Sequence, residues 1–396
     1  MGKYVKSVKD PIHGYIELTD LELELVDSLP LQRLRRIKQL PGSEYVYPGA
    51  MNTRFEHSLG VMHLAGLMGE RISEQSDEKR DIVALLRVSG LLHDIGHGPF
   101  SHSFEPVMKK SLGMTHEEMS VHLVERTEIS DILGRWGIES REVGDLIKGI
   151  HPRRSLSRII NSSVDADKMD YTVRDSYHTG AGYSVDIHRI ALNSMEHHGD
   201  LVINARALEA VESLLMARLL SFRTVYYHKT SRAVQLMLEM AMLSAITEFK
   251  LDDVLEEPDT FLELDDYTTW EILRRKGESR EIIERLMRRY ILKLAMEWYD
   301  ISLSAEEVED LRESIARITG LRTSDVVVDS PRIEFIKSTN LPLLWRDGNL
   351  VDPLDVSPVL SRLRDLLPKM IRIYTWPPYR DRVRSLLRDR RPEDLL

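Results

Sequence analysis

The chain is 396 residues long, 30% charged and without a single cysteine. Disulfides, thiolate metal sites and cysteine nucleophiles are therefore excluded, and any metal must be held by His, Asp or Glu. A net charge of -10 argues against a surface built for bulk nucleic-acid binding, though not against a local basic pocket for one nucleotide. No apolar run approaches membrane-spanning length, and the opening MGKYVKSVKD lacks an apolar signal core, so a cytoplasmic protein is expected.

In chain order, DPIHG reads as a turn and YVYPG as a short strand ending in Pro and Gly. From Arg54 the pattern turns helical, with Val61, Leu64, Met68 and Ile72 on one stripe. Ile82 to Leu92 is apolar on nearly every face, which predicts a buried helix ending at His93-Asp94 and stopped by Gly96, Gly98 and Pro99. Thr115 and Glu118 have capping-box spacing. Helices follow around Val164–Tyr177 and Ala207–Phe249. The acidic, Pro-containing LDDVLEEPDTFLELDDY reads as a linker or rim. Beyond it the pattern predicts helices over Trp270–Tyr299 and Ala305–Ile318. It also predicts β-like runs at Asp325–Val328, Arg332–Ile336 and Met370–Tyr374. A hairpin from Leu341 to Asp352 turns at Asp347-Gly348. The expected fold is mainly α. A first domain, residues 1–250, precedes a smaller C-terminal α+β region, 251–396, with an oligomerisation or regulatory role.

Four residues carry the chemistry: His57, the adjacent His93-Asp94, and Asp167. Two imidazoles and two carboxylates suit a hard or borderline divalent metal such as Mn, Fe, Mg or Zn. A metal so held lowers the pKa of bound water and polarises a phosphoryl oxygen, which points to phosphate-ester hydrolysis. A His-Asp pair at a helix end is weak evidence by itself; the whole run HDIGHGPFSH, with His57 and Asp167, is far more specific. Asp167, Tyr171 and Asp175 share one helical face with Lys168 beside it, and Arg218, Phe222 and Tyr226 share another. Asp165 and Asp170 read as members of a solvated charged face or as supports of the site.

The segments DPIHGYIEL, LQRLRRIKQLPG, TRFEHSLGVMHLAG, HDIGHGPFSH, THEE, VDADKMDYTVRDS and VYYHK, in this order over residues 6–230, resemble the HD-domain metal-dependent phosphohydrolases. Within these the chain is most similar to the branch containing the sterile-alpha-motif-plus-HD-domain dNTP triphosphohydrolase and its prokaryotic relatives. The C-terminal third resembles that branch weakly. The resemblance implies a helical HD domain with His57, His93, Asp94 and Asp167 as metal ligands. It implies that His97, His102 and His116 contact phosphate and assist leaving-group protonation. His116 also falls in the first turn of a predicted helix, where the dipole favours an anion.

By the same resemblance Arg54 contacts phosphate and Gln39 a sugar hydroxyl. Tyr171 and Asp175 read the sugar, Lys168 neutralises phosphate, and Arg218 with Tyr226 forms the second wall. Asp27, Gln32 and Arg35 match a guanine-binding allosteric site between subunits, implying a GTP or dNTP activator and a homo-oligomer. Phe222 stands where the animal enzyme has His, Glu105 where it has Asp, and Lys9 where it has Asn, departures that bear on the base contacts and on the activator site. His13, His63, His122, His151, His178, His188, His197 and His198 read as structural or surface residues. The expected reaction converts a dNTP and water to deoxynucleoside and triphosphate. The alternatives are another HD phosphohydrolase, such as a nucleotidase or cyclic-nucleotide phosphodiesterase, or a non-catalytic nucleotide or single-strand nucleic-acid binder.

Overall fold

In a computed structural model, residues 3–331, 341–365 and 369–396 are described. The DPIHG turn joins two antiparallel strands, β1 (Lys6–Asp10) and β2 (Gly14–Leu18). The body is a stack of helices whose centre is the Arg54–Ile72 helix. It packs along the Lys79–Leu92 helix and against the Ala166–Thr179 helix. The Arg54 helix starts where Glu56 accepts the Thr53 N–H at 2.8 Å, and its apolar stripe, Val61, Leu64 and Met68, is fully buried. The Lys79 helix ends on His93, as its sequence predicts.

Two further sheets, one of four strands and one of three, were partly legible in the sequence. Strands β3 (Ser194–His197) and β4 (Asp200–Asn204) form a hairpin that the sequence pattern did not reveal. Strand β5 (Lys293–Tyr299) pairs with β9 (Met370–Thr375), which in turn pairs with β6 (Val326–Asp329), all antiparallel. Strands β7 (Leu343–Leu344) and β8 (Leu350–Val351) form the hairpin expected around Asp347-Gly348, docked in parallel on β4. The run Arg332–Ile336 lies outside the described residues.

Several expectations need correction. YVYPG is not a strand: a 3-10 turn, Ser43–Tyr45, leads into an irregular loop whose backbone N–H groups bond locally. The helix expected over Trp270–Tyr299 is two helices, Asp266–Leu273 and Gly277–Met287, followed by β5. Gly277 at φ +71° separates the helices, and the alternating LAMEWY is claimed by pairing with β9. The Ala207–Phe249 helix is interrupted by a π-helical turn, Phe222–Tyr226, between the Leu208–Ser221 and Lys229–Ser244 helices. The acidic segment after residue 250 is no linker. Phe261, Leu262 and Leu264 are buried in the main core, which runs without a break from Ile16 to Trp376. A second, small core lies between β5, β6, β9 and the Ala305–Thr319 and Arg380–Leu387 helices.

Candidate active site

The four residues singled out above converge. His57 Nε2 lies 3.0 Å from Asp167 Oδ1 and 3.7 Å from Asp94 Oδ2. His93 Nε2 lies 3.3 Å from Asp94 Oδ1 and 3.8 Å from Asp167 Oδ1. Each imidazole is oriented from behind. His57 Nδ1 is 2.8 Å from Asp170 Oδ2, and His93 Nδ1 is 2.8 Å from the Gly90 carbonyl. Donation through Nδ1 leaves both Nε2 atoms as lone-pair donors facing Asp94 and Asp167, the tautomer a metal ligand requires.

These residues fit a divalent cation on their own geometry. Coordinating atoms of His57, His93 and Asp94 lie within 4.8 Å of one another. His93 Nε2 is buried and has no hydrogen-bond partner among the described residues, a costly state unless something else binds it. Electrostatics agree. Burial opposes charge on Asp94, yet Arg54, His93 and His97 hold its carboxyl well below the usual range. Burial likewise opposes charge on His57, and Asp167 and Asp170 outweigh it, raising the imidazole to about 10. A site that recruits a proton so strongly is one that lacks positive charge.

Asp170 is the keystone behind the site. It is fully buried, and it meets His57, His13 Nε2 (2.6 Å) and the Arg174 guanidinium (2.8 and 2.9 Å). Arg174 is also bonded to Asp10 at 2.8 Å. Asp165 is fully buried too, capping the Ala166 helix through the Lys168 N–H (2.7 Å) and accepting from Lys168 Nζ (2.7 Å). The reading of Asp165 and Asp170 as a solvated face is thereby corrected; the supporting role is what the structure shows. A charged pattern at helical spacing marks solvent only when nothing packs over it.

A tight loop follows the His93-Asp94 pair and carries His97 and His102. Phe100 and Ser101 both take left-handed φ, 55° and 52°, a strained choice for non-glycine residues. Asp266 holds the loop by accepting the Phe100 N–H at 2.6 Å and the Lys38 N–H at 3.0 Å. Ser101 Oγ then accepts from Arg54 Nε at 2.7 Å, and Arg54 Nη1 reaches Asp94. Asp266, from the segment misread as a linker, was missed; only its place in the fold shows its use.

Three histidines flank this loop. His97 is buried and stacks on His116 at 4.0 Å; burial, with Arg54 and His116, pushes its imidazole well down, so it is neutral. His116 opens the His116–Arg126 helix, with the Thr115–Glu118 capping box formed as predicted. His116 Nδ1 lies 2.6 Å, and the exposed His102 Nδ1 2.8 Å, from the same Glu105 Oε1. Both histidines hold the Glu105 carboxyl well below its usual range, against the effect of burial.

Beside the cluster opens a cavity of about 820 Å³, lined among others by Gln39, Arg54, His102, Tyr171, Asp175 and Tyr226. Asp175 accepts from Asn52 Nδ2 and from Tyr226 Oη, each at 2.8 Å; burial pushes its carboxyl up to about 6. Asn52 was missed by sequence reasoning, since a lone Asn before a helix carries no signal. Gln39 Oε1 is buried without a partner among the described residues. Arg218 Nε meets Tyr171 Oη at 3.2 Å and Nη1 the Ser163 carbonyl at 2.9 Å. Phe222 and Tyr226 pack edge to face. Asp27, Gln32 and Arg35 sit away from this cavity. Gln32 accepts from Arg35 Nε at 3.0 Å, Arg35 lies over the Phe55 ring, and Asp27 is exposed.

Comparison with known proteins agrees with this geometry. Residues 54–175 match the HD domain family and residues 185–390 the HD associated region. An uncharacterized protein of Methanocaldococcus jannaschii is 32% identical, the match covering 96% of this chain and 81% of that protein. The deoxynucleoside triphosphate triphosphohydrolase SAMHD1 homolog of Dictyostelium discoideum is 31% identical over 84% of this chain and 68% of its own length. The human SAMHD1 enzyme is 30% identical, over 84% and 63%. Among solved structures, a hypothetical protein from Aquifex aeolicus superposes with TM-score 0.80 at 28% identity, covering 96% of this chain and 99% of the other. A phosphohydrolase from Bacteroides thetaiotaomicron gives 0.77 at 26%, covering 94% and 100%. The chain belongs to the HD-domain phosphohydrolase family and is a hydrolase, with a His/Asp cluster suited to the metal such domains depend on.

Proposed function

We propose that the protein is a deoxynucleoside triphosphate triphosphohydrolase, converting dNTP and water to deoxynucleoside and triphosphate. The observation that carries this reading is the cavity itself. Its size falls within the range of roughly 300–1,000 Å³ that small-molecule sites occupy. Its lining includes Arg54, which bonds Asp94 of the His/Asp cluster, together with Gln39, Tyr171, Asp175 and Tyr226, groups suited to a phosphate and a sugar. The similarity to enzymes named for this reaction supports it.

His57, His93, Asp94 and Asp167 would hold a divalent metal, whether Mn, Fe, Mg or Zn. When bound, it supplies acidified water and a polarised phosphoryl oxygen. Arg54, Lys168 and Arg218 offset the charge of the polyphosphate. Arg54 is oriented for this by Ser101 and Asp94. His116, with Nδ1 engaged by Glu105, keeps Nε2 as the atom that delivers a proton to the departing 5′-oxygen. Neutral His97 stacks against it and His102 shares its carboxylate, so both position the donor and meet phosphate. The partnerless Gln39 Oε1 accepts a sugar hydroxyl, and Tyr171, Asp175 and Tyr226 enclose the sugar. Asp27, Gln32 and Arg35 would take a guanine-bearing activator, GTP or a dNTP, at a contact between subunits of a homo-oligomer in the cytoplasm. Among the described residues no helix is long and apolar enough to cross a membrane.

The test is incubation of metal-loaded protein with each dNTP, with and without GTP, followed by anion-exchange separation of products. Deoxynucleoside with intact triphosphate is expected, and dependence on GTP would support the site at Asp27, Gln32 and Arg35. Release of orthophosphate, or opening of a cyclic nucleotide alone, would move the assignment to a nucleotidase or phosphodiesterase. His57→Ala and Asp167→Ala should each abolish turnover and lower bound metal. Full turnover with full metal content in both variants would sink the assignment of the cluster.

A further inference from the structure

Beyond Asp170, three more imidazoles meet, one of them bonded to it. His13 sits in the turn between β1 and β2, His63 on the Arg54 helix, and His188 on the short Ile187–Leu192 helix. Their ring centroids are 5.1, 5.7 and 6.3 Å apart, and one nitrogen from each lies within 4.8 Å of the other two. The His13 side chain is wholly buried. Its Nε2 is committed to Asp170 at 2.6 Å, while its Nδ1 is buried without a hydrogen-bond partner among the described residues.

Ordinary packing does not account for this. Buried polar atoms are nearly always paired, and like donors clustered together repel once protonated. The surroundings disfavour charge on His63 and His188. Burial, then His13, Arg87 and His188, lower the His63 imidazole to about 4, with Asp10 acting weakly the other way. Burial and His13 lower His188, against Asp186. Three imidazoles converging on one point, one of them with an orphaned nitrogen, offer the ligand set that a borderline transition-metal ion takes.

We propose that His13, His63 and His188 form a second cation site, distinct from the His57/His93/Asp94/Asp167 cluster, that takes a zinc-class divalent ion through three imidazole nitrogens. Metal on His13 Nδ1 demands that Nε2 carry the proton, and that is the tautomer in which Nε2–H donates to Asp170. Zn–N bonds are about 2.0–2.1 Å, so the half-exposed His63 and His188 rings close on the fixed His13 when the ion binds. The second site is thus wired to the first: His13 Nε2 and His57 Nδ1 bond opposite oxygens of one carboxylate. Mg, which prefers oxygen ligands, would be refused here.

The experiment reads metal stoichiometry rather than turnover, so its outcome is independent of the proposed reaction. Full-length protein is stripped with chelator, reloaded with Co(II) or Zn(II), and measured by mass spectrometry of metal content and by visible absorption of Co(II). In a His93→Ala/Asp167→Ala background, one ion per chain is expected to remain, with bands of nitrogen-ligated Co(II). His63→Gln with His188→Gln should remove that ion with unchanged far-ultraviolet circular dichroism. Should the background variant fold poorly, His188→Gln in the otherwise native chain should lower the total by one ion. Retention of the same stoichiometry in the His63 and His188 variants would overturn the proposal, as would a well-folded background variant that binds none.

Discussion

Asp170 takes bonds from His57, His13 and Arg174 while wholly buried, and the consequences of altering it follow from charge. Asp170→Asn removes the carboxylate that fixes His57, and loss of such a supporting partner typically weakens metal binding about 10–100-fold. It also strands much of the Arg174 charge, and breaking a buried pair costs about 3–5 kcal/mol. Metal titration and urea unfolding would show both losses; native values for both would refute the keystone role. Asp175 provides a pH signature. Its pKa is raised from 3.8 to about 6 by burial, so the folded state binds the proton more tightly than the unfolded one. The stability it contributes is present below pH ~4 and is lost as pH rises through ~6. Relative to Asp175→Asn, the wild type should therefore weaken between those values and run parallel above them. A difference flat across a pH series of urea unfolding curves would contradict this.

At the scale of elements, close approach explains why glycine appears where it does. A Cβ on Gly60 would fall 1.9 Å from Asp170 Oδ1, so the Arg54 and Ala166 helices can bring His57 onto Asp170 only over a bare backbone. A Cβ on Gly96 would meet the Ser120 nitrogen at 2.1 Å and the His116 carbonyl at 2.4 Å. That clash is with backbone and cannot be relieved by a rotamer. Gly96→Ala should push the His116 helix away from the His93-Asp94 loop, lowering stability by several kcal/mol in the manner of an overpacked core. It should also reduce turnover more than Thr115→Ala, which removes only a cap worth about 1 kcal/mol. Thermal unfolding of the two variants side by side checks the ranking; equal effects would refute it.

For the whole molecule, the region after residue 250 is part of the site's support. Arg33 is fully buried and donates to the carbonyls of Leu264 and Ile95; Asp266 clamps Phe100 and Lys38. The apolar core is shared by residues on both sides of the boundary. A chain ending at residue 250 would uncover the Leu29–Arg33 helix where the Asp259–Leu262 helix packs on it and remove the Leu264 carbonyl that the buried Arg33 guanidinium bonds. It should not unfold cooperatively and should fail to retain metal. A sharp melting transition with bound metal in that fragment would show that the first region stands alone.

Much of the site was legible in the sequence because its chemistry is written in residue type and short spacing. The adjacent His93-Asp94 at the end of an apolar run, the Thr115–Glu118 cap and the helical face bearing Asp167, Tyr171 and Asp175 are local facts, and local geometry carried them into place. Resemblance gave these residues their roles and added Arg54 and Gln39. What tertiary structure alone decided was the environment. The burial that turns Asp165 and Asp170 from surface charges into supports is not a property of their helix but of what packs over it. The strand fate of Lys293–Tyr299 was set by pairing with β9, some seventy residues away. The meeting of His13, His63 and His188, drawn from three separate elements, has no trace in sequence spacing, because contacts between distant segments depend on the packed fold and not on the chain's local pattern.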